Sequence, residues 1–276
     1  MTAAGRRGAV TGGVGGPWAS GPVTERARCV LAPNPGPMTL DGTNTWVLLE
    51  PGATQAVVID PGPLDEAHLQ AVLETVDRLG AHVALTLLTH GHADHAGSAV
   101  RFGELTHAPV LRLGPGGDDL RQGELVTVGG LEVLVVATPG HTSDSLSFLL
   151  PAENALLTGD TILGRGTTVV AWPDGELAAY LASLERIEEL TGSGEVLRIL
   201  PGHGPQRTDA AAVVRHYRQH RAERLAQVRA AVAQGAVFPR SVVELVYADV
   251  PREVWPAAEL SVRAQLDYLG LHPSGA

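Results

Sequence analysis

The chain has 276 residues, which is enough for one large globular domain with a small appendage. Its formal net charge of −10 excludes a protein that wraps nucleic acid through overall positive charge, and leaves room only for a local basic groove. All 20 basic residues are arginine, so lysine Schiff-base chemistry and a phosphate-loop lysine are also excluded.

The N-terminal residues 1–22 are predicted to form a flexible tail. Arg6 and Arg7 stand at a position typical of a twin-arginine export signal, but the glycine-rich stretch 8–16 offers no apolar segment after them. Cys29 is the single cysteine, which excludes an intrachain disulfide and a thiolate metal cage. Since no apolar run reaches the roughly 18 residues that span a bilayer, we expect a cytoplasmic protein without membrane contact and make no prediction of its oligomeric state.

The first half of the chain alternates strands and helices. Strands are predicted at residues 45–50 and 56–60, joined by a turn at Pro51 and Gly52. An amphipathic helix at 65–79 follows, then an apolar strand at 83–89 and a helix at 96–102. This alternation is typical of an α/β protein.

The second half repeats the alternation, which predicts a second sheet packed on the first. Its predicted strands are residues 109–113, 124–128, 131–137, 145–150, 155–158 and 196–200, with a helix at 174–190. From about residue 208 the pattern is helical, with breaks at Gly235, Pro239, Pro251 and Pro256. We therefore predict a main domain over residues 23–221 and a C-terminal helical appendage over 222–276.

One dense motif follows the apolar strand at 83–89. It places His90, His92, Asp94 and His95 within six positions. In an extended segment alternate side chains leave on one side, so His90 and His92 can meet one ion. Asp94 and His95, where the chain turns into a helix, can face a second. The spacing therefore predicts a site for two metal ions.

Three later fragments each place a ligand-type side chain beside glycine at the end of a strand. They carry His141, Asp160 and His203. Glycine allows a sharp backbone turn and close approach of an ion. We expect the loops to converge with the first motif on one site.

The set His90, His92, Asp94, His95, His141, Asp160 and His203 resembles the metallo-beta-lactamase superfamily in order and spacing. The resemblance implies an αββα sandwich. It also implies that His90, His92 and His141 bind one zinc ion, that Asp94, His95 and His203 bind the other, and that Asp160 bridges them. Asp60 matches an earlier aspartate of the superfamily, which would support the ligands from behind; alternatively it only forms the turn before Pro61.

Within the superfamily the chain is similar to the beta-lactamase-like protein 2 family from about residue 28 onward. The similarity lies in the segments 34–40, 42–45 and 159–168. It implies a winged-helix-like C-terminal segment and cleavage of single-stranded RNA. It also points to Asn44, Arg165, Thr167 and Thr168 as residues that contact substrate.

The expected chemistry is hydrolysis by a metal-bound hydroxide, with Asp94 orienting the water or assisting proton transfer. The first hypothesis is a phosphodiesterase, an endoribonuclease acting on single-stranded RNA. Arg215, Arg218, Arg221 and Arg224 would offer a basic helix face to the RNA, although a solvated helix face explains them equally well.

Two alternatives stay open. The same hydroxide serves an acyl substrate, which gives a thioester hydrolase similar to glyoxalase II or to acyl-carrier thioesterases. A metal-stabilised binding module without activity is the third hypothesis, although structural zinc sites are usually closed and cysteine-rich. Zinc suits the ligand set, which also accepts iron or manganese.

Overall fold

The computed structural model describes residues 18–114, 120–236 and 238–271. The predicted tail therefore lies outside the described residues up to position 17, and so do the last five positions of the predicted appendage. None of the helices described is both long enough and apolar enough to cross a membrane.

The first sheet has six strands, which lie side by side in chain order. They are β1 (Gly21–Pro22), β2 (Ala27–Leu31), β3 (Asn44–Leu48), β4 (Gln55–Ile59), β5 (His82–Leu87) and β6 (Val110–Leu111). Strands β1 to β4 pair antiparallel, whereas β4, β5 and β6 are parallel. The carboxyl ends of β4 and β5 therefore lie at the same edge of the sheet.

The second sheet has five strands in the order β11-β10-β9-β8-β7. They are β7 (Leu125–Val128), β8 (Leu131–Ala137), β9 (Leu146–Leu150), β10 (Ala155–Gly159) and β11 (Arg198–Pro201). Because β9 is antiparallel to both β8 and β10, and β10 is parallel to β11, strands β8, β10 and β11 run in one direction. Their carboxyl ends also share one edge.

Seven α-helices complete the described chain. They are α1 (Glu66–Arg78), α2 (Ala93–Ala96), α3 (Ala99–Thr106), α4 (Leu177–Gly192), α5 (Ala210–Ala233), α6 (Pro239–Val246) and α7 (Trp255–Tyr268). Helix α1 begins where the Asp65 side chain accepts a hydrogen bond from the backbone N–H of His68. Pro239 and Pro256 were predicted as breaks but stand in the first turns of α6 and α7, where no intrahelical N–H is needed.

Side chains that alternate along each strand build three apolar layers. In β3, Trp46 and Leu48 point between the sheets, whereas Val47 packs against α1 and α3. In β10, Leu157 points between the sheets and Leu156 packs under α4 and α5. The layers therefore run helix, sheet, sheet, helix, which confirms the αββα sandwich.

The predicted tail is too long. Residues 21 and 22 form β1 and pair with Cys29 and Arg28, and the Trp18 indole donates a hydrogen bond to Asn44. Strand β2 was not predicted either. Its five residues contain a charged arginine, and the strand is stabilised by pairing with the distant β3.

The predicted boundary at residue 222 falls inside α5, which continues unbroken from Ala210 to Ala233. No glycine or proline interrupts this helix, so its sequence gives no reason for a break. Leu225 packs under the second sheet, whereas Val228 packs with α6 and α7. One helix thus contributes to two apolar cores.

Candidate metal centre

Four strand ends bring the predicted ligands together, and a fifth carries Asp60, the predicted supporting residue. Asp60 follows β4, His90 begins the motif after β5, His141 follows β8, Asp160 follows β10 and His203 follows β11. These are the strands whose carboxyl ends face the same edge of the sandwich. The loops therefore meet there, as the sequence predicted.

The first group of donor atoms belongs to His90, His92 and His141. Nδ1 of His92 lies 3.1 Å from Nε2 of His90 and 3.1 Å from Nε2 of His141. His90 and His141 are buried, whereas His92 is exposed. Three imidazole nitrogens thus surround one point that is open to solvent on the His92 side.

The second group belongs to Asp94, His95 and His203. Nε2 of His203 lies 3.2 Å from Nε2 of His95 and 3.2 Å from Oδ2 of Asp94. Both histidines are buried, and the Asp94 side chain keeps 30% of its surface exposed. This group also has one side that faces solvent.

Asp160 lies between the two groups. Its Oδ1 is 3.4 Å from Nε2 of both His95 and His203, and its Oδ2 is 3.7 Å from Nε2 of His141. Oδ1 is buried and has no hydrogen-bond partner among the described residues. A buried carboxylate oxygen without a partner is costly, so this atom needs a cation.

Four of the five imidazoles are oriented by a hydrogen bond at Nδ1. His141 Nδ1 lies 2.7 Å from the carbonyl oxygen of Val169, and His203 Nδ1 lies 3.1 Å from that of Gly42. A carbonyl accepts only, so each Nδ1 carries the proton and each Nε2 presents a lone pair to the site. His90 and His95 are oriented in the same way by side chains.

Asp60 and Thr89 orient these two rings. The Asp60 carboxylate accepts from the Thr89 backbone N–H at 2.7 Å and from the Thr89 hydroxyl at 2.6 Å, and lies 2.8 Å from His95 Nδ1. Since the Thr89 hydroxyl donates to Asp60, its oxygen is left to accept from His90 Nδ1 at 3.0 Å. Asp60 thus does more than form the turn before Pro61, because its buried carboxylate connects to one histidine of each donor group.

The carboxylates control the charge of the site. Burial lowers the pKa of His203, but Asp160 and Asp94 outweigh it and raise that pKa to about 9. Burial also lowers the pKa of His95, but the charges of Asp160 and Asp60 have the larger effect. The pKa of His95 therefore lies well above its usual value. Burial and the neighbouring His95 instead hold the pKa of His90 well below its usual value.

These observations fit a pair of metal ions. Nε2 of His95 lies 3.2 Å from Nε2 of His203, and Nδ1 of His92 lies 3.1 Å from Nε2 of both His90 and His141, so one cation beside each cluster can be bound by all of its ring nitrogens. His95 and His203 attract protons in this site because two carboxylates face them, and a bound metal ion would take the place of those protons. Imidazole nitrogen with carboxylate oxygen is a ligand set for zinc, iron or manganese.

Two glycines leave no room for a side chain beside the ligands. A Cβ on Gly202 would lie 2.6 Å from Cε1 of His95 and 2.7 Å from Oδ1 of Asp160. A Cβ on Gly140 would lie 2.3 Å from the Cα of Tyr180 in α4, and Gly140 has a φ of +132°. The glycines of the ligand fragments thus serve close approach, as predicted.

The predicted substrate residues divide into two pairs. Asn44 is fully buried, and its amide donates to the carbonyl oxygens of Pro201 and Gly204 at 2.9 and 2.8 Å. Thr168 is buried and its hydroxyl donates to the carbonyl oxygen of Asp160. In the structure both side chains fix ligand loops instead of facing the opening; a short polar segment does not reveal which way its side chains point.

Arg165 and Thr167 lie on the surface of the loop that follows Asp160. Arg165 is exposed and pairs with Asp41, and this contact lowers the pKa of the Asp41 carboxyl. Thr167 is partly exposed. Both remain available for a substrate.

The arginine-rich face of α5 is largely engaged within the protein. Arg221 is buried, Arg218 pairs with Glu185 and Glu188, and Arg224 lies over the Tyr247 ring at 4.6 Å. Arg215 is exposed and makes no ion pair among the described residues. The predicted nucleic-acid face is thus reduced to one free arginine, since helical spacing places these side chains on different sides of the helix.

Several residues of the site were not predicted from the sequence. Val169 and Gly42 act through backbone carbonyls, which every residue type possesses and which leave no sequence signal. Thr89 precedes the histidine motif, and a hydroxyl between a buried strand and His90 is the signal that could have identified it.

Comparison with protein families gives two matches. The family model of the metallo-beta-lactamase superfamily matches residues 38–112 and 109–203. The model of a beta-lactamase associated winged helix domain matches residues 239–269, which contain α6 and α7.

Relatives of known name match most of the chain. A beta-lactamase-like protein 2 homolog of Caenorhabditis elegans is 32% identical over 252 residues, covering 87% of this chain and 82% of the relative. An atrochrysone carboxyl ACP thioesterase of Aspergillus chevalieri is 31% identical over 248 residues, covering 84% of this chain and 76% of the relative. A crystal structure of a beta-lactamase domain protein from Burkholderia ambifaria superposes with a TM-score of 0.77 at 24% identity, covering 91% of this chain and 88% of that one.

Proposed function

This chain belongs to the metallo-beta-lactamase superfamily and, within it, to the beta-lactamase-like protein 2 family, and from this premise we propose that it hydrolyses thioesters with two metal ions. It is an enzyme, a hydrolase of that superfamily. The observation that carries the proposal is the convergence of five imidazoles and two carboxylates at one edge of the sandwich.

For the metal ligands we propose the division that the resemblance implied. His90, His92 and His141 would hold one ion, Asp94, His95 and His203 the other, and Asp160 would bridge them. The grouping of donor atoms supports it, because the ligand atoms within each of the two histidine-containing sets lie within 4.8 Å of one another. The ligand atoms of Asp160, His90 and His95 do so as well, which places Asp160 close to both sets. When bound, such ions activate a water molecule as a nucleophile near neutral pH and stabilise negative charge on the attacked oxygen.

The protein's own residues provide orientation and proton handling. Asp94 is partly exposed, and its carboxylate stays ionised because the hydrogen bond from His203 lowers its pKa against the opposing effect of burial. An ionised carboxylate at the open side of the site can orient the attacking water and take up its proton. His92 is exposed as well.

Two observations favour a thioester over RNA. One relative, 31% identical, is named as a thioesterase that acts on an acyl carrier protein. The rim of the site offers few cations to a polyphosphate: Asp144 lies beside Gly91 of the motif, and Arg165 is already paired with Asp41. A neutral carbonyl group is not repelled by such a rim.

Cleavage of single-stranded RNA is the second candidate. The same site geometry serves a phosphodiester, and Arg215 and Arg165 are two exposed cations that such a substrate could use. A purely structural metal site is disfavoured, because structural sites are closed, whereas His92 and Asp94 are open to solvent here.

For the domain organisation we propose that α5 is shared between the sandwich and the C-terminal segment. Residues up to Leu225 pack under the second sheet, and residues from Val228 pack with α6 and α7. The winged-helix match to residues 239–269 supports this division.

The deciding experiment measures metal content and substrate choice together. Metal is quantified by mass spectrometry in the wild-type protein and in Asp160→Asn. Both are assayed with an acyl group on a carrier protein, with a small acyl thioester, and with a single-stranded RNA. Two metals per chain and thioester turnover that the variant loses would support the proposal.

Two results would contradict it. Metal-dependent RNA cleavage without thioester turnover would favour the second candidate, and wild-type protein that binds no divalent metal would refute the site assignment. Leu245→Ala, a change on α6 at an exposed side chain outside the ligand set, is a control that should retain its metal.

A further inference from the structure

The loop that carries Asp160 is supported from behind by a buried arginine. Arg221 lies on α5 and is 4% exposed. Its guanidinium donates a hydrogen bond to the backbone carbonyl of Thr168 and lies over the Tyr180 ring, 4.9 Å from the ring centre. The sequence had suggested a solvent-facing cation at this position, and the structure places it inside the protein.

Thr168 connects this arginine to the metal centre. Its side-chain hydroxyl donates to the backbone carbonyl of Asp160, while its own carbonyl accepts from Arg221. The two hydrogen bonds therefore connect Arg221 to the backbone of Asp160, whose carboxylate lies between the two donor groups. Thr168 itself is buried, so water does not compete for them.

Two tyrosines hold the remainder of the loop. The Tyr180 hydroxyl donates to the carbonyl of Thr161 at 2.7 Å, and the Tyr217 hydroxyl accepts from the backbone N–H of Leu163 at 2.8 Å. Both tyrosines are fully buried between α4, α5 and the loop. Arg221 thus belongs to a rigid layer that determines where the loop lies.

The charge of Arg221 is not required for packing. It donates to a backbone carbonyl and not to a carboxylate, and its Nε is buried without a hydrogen-bond partner among the described residues. A buried cation without a counter-ion costs free energy, and an apolar side chain of similar volume would fill the space at lower cost. Its use at this position indicates a directional requirement, namely the hydrogen bond to Thr168.

We propose that Arg221 is a positioning residue that acts through Thr168 to set the place of Asp160 between the two groups of donor atoms. This inference rests on the proposed function, in which Asp160 would bridge two metal ions. Since the second half of the same helix packs with α6 and α7, the C-terminal segment would share in maintaining the metal centre.

The test compares Arg221→Met, Arg221→Lys and Thr168→Val with the wild-type protein. Affinity for zinc is measured by competition with a chelator, and the geometry of the site by the absorption spectrum of the cobalt-substituted protein. In Arg221→Met we expect the dissociation constant of the more weakly bound zinc ion to rise at least about tenfold, as it does when other residues that orient metal ligands are replaced. The kcat for thioester hydrolysis should fall while KM stays within about threefold of the wild-type value.

The other variants separate positioning from general stability. Arg221→Lys keeps a donor for the Thr168 carbonyl and should recover part of the zinc affinity. Thr168→Val keeps the shape and the carbonyl but removes the hydroxyl, so it should weaken zinc binding as Arg221→Met does. If Arg221→Met does not fold, the comparison of Thr168→Val with the wild type is the test. Arg218→Met, at a partly exposed position on the same helix where the arginine pairs with surface glutamates, is the matched control.

Two outcomes would overturn the inference. Folded Arg221→Met and Thr168→Val proteins with the zinc affinity and cobalt spectrum of the wild type would refute it while leaving the proposed function intact. A wild-type protein that binds no metal would refute both. Loss of zinc affinity in Thr168→Val but not in Arg218→Met supports it.

Discussion

Oδ2 of Asp60 lies 2.8 Å from Nδ1 of His95, and both side chains are buried at the carboxyl end of the first sheet. Asp60 has a φ of +51°, a conformation that asparagine also tolerates, so Asp60→Asn tests the carboxylate without added backbone strain. The amide cannot accept from Thr89 and His95 as the two carboxylate oxygens do. We expect metal affinity to fall about 10- to 100-fold, measured by chelator competition.

A control for this change is Asp65→Asn, which keeps an N-cap that can accept from His68 N–H and is outside the ligand set. It should bind metal as the wild type does. Equal affinity in Asp60→Asn and wild type would show that the Asp60 carboxylate does not orient His95.

Gly202→Ala should damage the metal centre through steric contact alone. The added Cβ would lie 2.6 Å from His95 and 2.7 Å from Asp160, so one of the two ligands must move. Gly192→Ala is a matched control in α4, because nothing lies within 4 Å of its added Cβ and alanine favours a helix. Metal content by mass spectrometry should fall in the first variant only; retention of two metals in Gly202→Ala would contradict the geometry.

Asn44→Ala separates a loop-fixing role from substrate contact. The buried amide satisfies the carbonyls of Pro201 and Gly204, which flank His203. Its loss should cost about 1–3 kcal/mol of unfolding free energy and weaken metal binding. With metal supplied in excess, KM for the substrate should stay close to the wild-type value. A large rise in KM at full metal occupancy would restore the sequence-based interpretation of Asn44 as a substrate residue.

The buried His68 should make stability depend on pH. Burial lowers its pKa to about 4, against an opposing effect of Asp65, whereas an unfolded histidine titrates near about 6.5. The unfolded chain therefore binds a proton that the folded chain does not between these values. The stabilisation that depends on neutral His68 is complete above about pH 6.5 and is lost as the pH falls. At pH 5 the free energy of unfolding should be lower by about 2 kcal/mol.

Denaturant unfolding at pH 8 and pH 5 measures this effect. In His68→Gln the amide still donates to Thr45, which accepts from His68 in the wild type at 2.8 Å, but no proton is taken up. The difference between the two pH values should shrink in this variant and persist in His82→Gln, where the histidine is exposed. The same pH dependence in all three proteins would exclude His68 as its source.

The sequence predicted the ligand fragments because each is local. A histidine or aspartate beside glycine at the end of an apolar strand can be identified within six residues, and the direction of the strands then brings the fragments together. The partners of those ligands could not be predicted in this way. His203 is oriented by the carbonyl of Gly42, 161 positions earlier in the chain, and such a contact depends on how the two sheets pack.

The differences between sequence and structure have the same origin. Asn44 and Thr168 were selected because they lie in segments similar to a family, yet such similarity does not distinguish a side chain that faces substrate from one that satisfies buried carbonyls. Arg221 was interpreted together with its neighbours on α5 as part of a basic helix face, open either to RNA or to solvent. Its environment of Tyr180 and Thr168 exists only once α4, α5 and the second sheet have assembled.

The backbone carbonyl of Val169 has a consequence for how such a site can diverge among relatives. A carbonyl oxygen is present whatever side chain the residue carries, so replacement of Val169 can leave the orientation of His141 unchanged. This loop is thus free to accumulate new side chains, while the hydrolytic core is inherited intact. A lineage can in this way acquire a different substrate by mutation at the rim without first losing its chemistry.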